Sequence, residues 1–193
     1  KKNGGLGVIN LKLQNEALLM KFLHKFYNKK DVPWVHLLWD TYYTGKIPHA
    51  VDAVGSFWWR DVLKVTPKNR GVSRVQVVDG TTTLVWKDLW MDDTWEISHP
   101  RAFSYAMHED VSIKDFVESM SLHELFHLSL SPEALEEIRD LQSLPLHLNH
   151  SSTSTNIRYY VWGKTDIKVA DYYKFCFRLA PKHPTFRLLW RSK

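Results

Sequence analysis

The sequence predicts an α+β fold, mainly helical, with a small antiparallel β-hairpin and a short strand before the last helix. Three observations carry this. Apolar residues recur at helical spacing through the first 65 positions and again near residues 111–142. A β-branched run, "SRVQVVDGTTTLVWKDLW", breaks that pattern and holds Asp79-Gly80, a common short-hairpin signal. Finally "IRYYVW" reads as a strand and "VADYYKFCFRL" as a helix, separated by the turn "GKTD".

Along the chain, Asn10 is placed to cap a helix from Leu11 to Asn28, with Leu19, Met20, Leu23, Phe26 and Tyr27 on one face. Lys21, Lys25 and Lys29 fall four apart on a separate, solvent-facing stripe. Pro33 opens a second helix through "WVHLLWDTYY", stopped by Gly45 and Pro48. Ser56 caps a third, "SFWWRDVLKV", and "PKNRG" turns the chain into the hairpin, over residues 74–78 and 82–87, with Trp86 packed on helical neighbours. Residues 92–107 read as an irregular connection. Ser112 then starts a helix, with Asp115 three residues on and Val111 and Phe116 as a hydrophobic staple. Ser131 caps the next, with Pro132 at its first position and Leu135, Ile138 and Leu141 facing the core. "NHSSTSTN" reads as a linker.

Charge is unevenly spread over the 193 residues, whose net charge is +5. Residues 1–30 carry +6, residues 108–142 carry −7 and residues 156–193 carry +7. Basic ends around an acidic middle point to a polyanion partner. No apolar run approaches the roughly 20 residues that span a bilayer. The single cysteine, Cys176, excludes an internal disulfide and a multi-cysteine metal site and suits a reducing, intracellular compartment, cytoplasmic or nuclear. Lys1 stands where an initiator Met would, so the expectation is a piece of a longer polypeptide.

Three motifs invite chemistry. Gly5-Leu-Gly7 has Asn10 where a dinucleotide fingerprint needs its third glycine, and reads as a turn into a capped helix. "HELFH" matches H-E-x-x-H, with His123 and His127 as zinc ligands and Glu124 as base of a metalloprotease. Its extended form would need glycine and histidine where Leu130 and Glu133 stand, and Glu136 and Glu137 lie too close for a third ligand on a separate helix. Surface histidines are the expectation. "WMDD", Trp90–Asp93, resembles an aromatic-x-Asp-Asp polymerase turn, but no upstream strand supplies a partner aspartate. We expect no catalytic residue, metal ligand or cofactor in this segment.

The ordered set "KKNGGLGVINLKLQNEALLMKFLHKF", "SFWWRDVLK", "VVDGTTTLVWKDLW", "LSPEALEEIRDLQ" and "YVWGKTDIKVADYYKF" resembles plant LINE-type, non-LTR retrotransposon reverse transcriptases. The resemblance is to the region between the polymerase domain and the C-terminal zinc-binding module. Val169-Ala170-Asp171 departs from the family's usual K-S-A. The resemblance implies a parent RNA-directed DNA polymerase whose carboxylates lie upstream and whose zinc ligands lie downstream. It implies residues 1–145 as a helical connector, 146–156 as a linker and 157–193 as the start of the zinc-module region.

The expected role is assistance in binding template RNA or target DNA, beside the neighbouring polymerase and zinc-binding domains. The candidate backbone contacts are Lys21, Lys25 and Lys29, and a second group of Arg158, Lys164, Lys168, Lys174 and Arg178 interleaved with Tyr159, Tyr160, Tyr172 and Tyr173. The rival expectation is a structural or protein-contact scaffold without nucleic acid.

Overall fold

The computed structural model describes residues 10–43, 47, 55–119, 121–143 and 155–179. The opening glycine cluster and most of the expected linker lie outside them. Helix α1, Leu11–Tyr27, starts where Asn10 Oδ1 accepts the Leu13 amide at 3.2 Å. It ends on a left-handed residue: Lys29 has φ +42°, and the Lys29 and Lys30 amides donate back to the Phe26 and Lys25 carbonyls. That is the usual glycine position of a Schellman stop, here filled by lysine. Helix α2, Pro33–Tyr42, comes next, then helix α3, Phe57–Leu63, capped by Ser56 Oγ accepting the Trp59 amide at 3.3 Å. The expected "PKNRG" turn is wound into a short helix, α4, Thr66–Arg70.

The antiparallel pair exists, but with a different partner from the one expected. Strand β1, Ser73–Gln76, pairs with β2, Ile157–Tyr160, in the register Ser73↔Tyr160 to Gln76↔Ile157. The strand before the last helix is therefore the second strand of the sheet, and no hairpin forms over residues 74–78 and 82–87. The turn at Asp79-Gly80 is real, since Gly80 has φ +70°. The run from Thr81 to Trp86 forms no strand, because its backbone groups are taken by side chains and by the backbone of residues 96 and 111–113. Asp88 Oδ2 accepts the Leu84 amide at 2.9 Å, and Leu84 bridges to Ser112 instead of to β1. Asn156 Oδ1, from just before β2, accepts the Val78, Asp79 and Gly80 amides at 2.8, 3.2 and 3.1 Å. Trp86 is buried against Phe103 and Phe126, as expected.

The segment expected to be irregular holds two short helices, α5 Trp95–Ser98 and α6 Pro100–Ser104. Helix α7, Ile113–Glu118, begins with the Asp115 amide donating to Ser112 Oγ at 2.9 Å. Helix α8 is only Leu122–Leu125, and α9 is Pro132–Ser143. In α9 Ile138 and Leu141 are buried as expected, while Ala134 takes the innermost place and Leu135 is half-buried. Helix α10, Val169–Cys176, closes the described chain.

Two apolar cores result. One joins α1, α2 and α3 to Val65, Val72, Tyr160, Ile167 and Tyr172. The other gathers Val75, Val85, Trp86, Trp90 and Trp95 with residues of α6, α7 and α9. Strand β1 lies at their junction, with Val75 in the second core and Val72, just ahead of it, in the first. The segment 157–179 thus shares a core with α1. Asn156, assigned to a linker from sequence, is 2% exposed.

Candidate nucleic-acid interface

Helix α10 packs antiparallel along α1. Tyr173 Oη accepts the Asn10 amide at 3.1 Å at the start of α1, and Tyr172 Oη donates to Glu16 at 3.3 Å. Asp166, ahead of α10, lies 3.5 Å from His24 near the other end. The described parts of the basic ends, residues 10–30 and 156–179, are therefore neighbours in space. Lys25, Lys168 and Lys174 are exposed and Lys21 is half-buried. Lys164 is tied to Asp171 at 2.7 Å, a contact that holds the Asp171 carboxyl below its ordinary range. Arg178 lies over the Phe175 ring, 3.6 Å from its centroid.

Two of the expected contacts do not join this surface in the expected way. Arg158 is 2% exposed. It alternates inward on β2 opposite Val75, and a carboxylate waits there. Arg158 Nη2 donates to Asp88 Oδ2 at 3.2 Å and to the Thr82 carbonyl at 3.0 Å, with its guanidinium 4.7 Å from the Tyr27 ring centroid. Arg70 Nε donates to Asp88 Oδ1 at 3.1 Å. Burial pushes the Asp88 carboxyl up, but Arg158, Arg70 and the Leu84 amide outweigh it, and the group is held below its ordinary range. Lys29 stands beyond the end of α1 with its ammonium 4.9 Å from the Trp39 ring centroid, so the lysine stripe on the helix is Lys21 and Lys25. The interleaved tyrosines divide as well: Tyr160 and Tyr172 are core residues, and Tyr159 is 42% exposed.

The other motifs resolve into structure. The helix that H-E-x-x-H spacing requires ends at Leu125, and Phe126 is extended at φ −133°, ψ 143°. His123 and His127 are exposed and do not share a helical face, while Phe126 between them is buried. Among the described residues no three metal-binding side chains cluster. In "WMDD", Trp90 is buried, donates to the Val85 carbonyl at 2.8 Å and stacks on Trp95, whereas Asp92 and Asp93 are exposed.

One surface feature was missed in the sequence. Phe22, Trp34 and Trp58, from α1, α2 and α3, meet edge to face at the surface, with Phe57 beside Trp58 on α3. The signal was "FWW": three consecutive aromatics span about 200° of helix circumference, too wide for one buried stripe. Trp59 is fully buried and Phe57 is 76% exposed.

No helix of the described residues is long and apolar enough to cross a membrane. Comparison with family models, with curated proteins and with solved structures finds no match to the chain.

Proposed function

We propose that this chain is a non-catalytic connector of a LINE-like reverse transcriptase polyprotein that contacts the backbone of template RNA or target DNA. The observation that carries the reading is the antiparallel packing of α10 on α1, which brings the helix of Lys21 and Lys25 beside the helix that carries Lys174 and follows Lys168. Paired basic helices are suited to neutralising phosphates without reading bases. The ordered sequence resemblance to the region after the polymerase domain supports the same role. The role needs no catalytic residue, metal or cofactor in this segment.

The test is the salt dependence of RNA and DNA affinity for the full chain. Each lost phosphate contact lowers the slope of log affinity against log salt by about 0.7–0.9. The double variant Lys21→Gln/Lys25→Gln should therefore flatten it by about 1.5 and weaken unrelated sequences equally. An unchanged slope favours the scaffold role instead. Stoichiometric zinc that survives chelation and is lost in His123→Ala would overturn the metal-free assignment.

A further inference from the structure

We propose that the aromatic cluster Phe22, Trp34 and Trp58, with the exposed Phe57 next to Trp58 on α3, is a stacking platform for the unpaired bases of single-stranded nucleic acid, an inference that rests on the nucleic-acid role proposed above. The rings of Phe22 and Trp58 lie 5.0 Å apart at 88°, Phe22 and Trp34 5.7 Å apart at 66°, and Trp34 and Trp58 6.1 Å apart at 89°. Each of these three rings meets the other two edge to face, which locks it while leaving part of it at the surface. Phe22 and Trp34 are partly buried against the first core, while Trp58 is 36% exposed and Phe57 76% exposed, so the open part of the patch lies on α3.

What selects the occupant is the charge beside it. On α1, Phe22 is three residues before Lys25 and one after Lys21, and Leu18, 42% exposed, is four before Phe22. Positions three and four apart adjoin on a helix surface, so the aromatic patch grades into the lysine pair. The carboxylate nearest on α3, Asp61, is held by Lys64 at 2.7 Å. Apolar rings edged by ammonium groups suit a strand that offers base faces and phosphates together. A duplex offers the phosphates but hides the faces.

The experiment measures full-chain binding to labelled oligouridylate and to an RNA duplex of equal length, as a function of salt. Replacing Phe57→Ala and Trp58→Ala together should weaken oligouridylate binding about 10-fold or more, as expected for one or two lost stacks. The salt slope and the duplex affinity should not change. Phe57→Ala alone, at the most exposed ring, guards against an effect of misfolding, and Trp58→Phe should restore most of the binding. If the lysine variants weaken binding and the aromatic variants leave it intact, the platform is wrong while the backbone-contact role stands. If the native chain binds neither probe, both are wrong. A concentration-dependent dimer in sedimentation that the aromatic variants abolish, with RNA affinity unchanged, would make the face a self-association surface and overturn the platform.

Discussion

Asp88→Ala should be among the most damaging single changes in this chain. The carboxylate is 1% exposed and serves Arg158, Arg70 and the Leu84 amide at once. Removing one partner of a buried ion pair costs about 3–5 kcal/mol, because the other charge stays desolvated. Two arginines share this one carboxylate, which puts Asp88→Ala near the upper end, about 5 kcal/mol. Arg158→Met should cost less, about 3 kcal/mol, since Asp88 keeps Arg70 and an amide donor. Against a typical total of about 5–15 kcal/mol, the first change removes a third or more of the stability. Urea unfolding at neutral pH, monitored by far-UV circular dichroism, measures both. The double variant should fall short of the sum of the singles by about 1–3 kcal/mol, the coupling of groups in direct contact. A loss under about 1 kcal/mol for Asp88→Ala, or Arg158→Met as the costlier change, would refute the reasoning.

Other buried groups carry further expected outcomes. His24 is held mainly by burial at a pKa of about 4 instead of 6.5. The folded state resists protonation there, so stability should be lost as pH falls from about 6.5 to 4, by up to about 3 kcal/mol; pH-dependent melts of His24→Phe should lack that loss. Asn156→Ala strands three amides and the Thr82 hydroxyl contact and should cost about 2–4 kcal/mol by the same urea assay. Gly80→Ala forces a side chain to φ +70° with its Cβ 2.9 Å from the Lys114 nitrogen, and should lower stability by more than about 2 kcal/mol. An unchanged melting temperature in either variant would contradict the contacts described.

Local signals were legible wherever the chemistry is local. Asn10, Ser56, Ser112 and Ser131 each accept the amide their spacing indicated. The sheet was harder. A strand is half a structure, and β1 at Ser73–Gln76 finds its partner only at Ile157–Tyr160, at a distance no window along the chain can see. The nearer candidate was a β-branched run in which Thr82 and Thr83 are buried outside any strand. Arg158 was misplaced for a related reason: a basic residue among tyrosines resembles a binding patch until its inward register is known. Alternation along β2 does put it on the face of Tyr160, and Asp88 sits between Trp86 and Trp90, surroundings that favour a buried carboxylate. Those two hints needed each other.

The long reach between β1 and β2 also sets an order of events during synthesis. A nascent chain that has emerged through α9 contains Asp88 but not Arg158, and β1 but not its partner. Until Tyr160 emerges, the backbone of residues 73–76 presents an open edge to any other strand in the crowd. Arrival of the last segment pairs that edge, adds a second arginine to the carboxylate that Arg70 already holds, and packs α10 on α1. Translation stopped before residue 157 would leave a chain with most of its helices, whose first core lacks Tyr160, Ile167 and Tyr172.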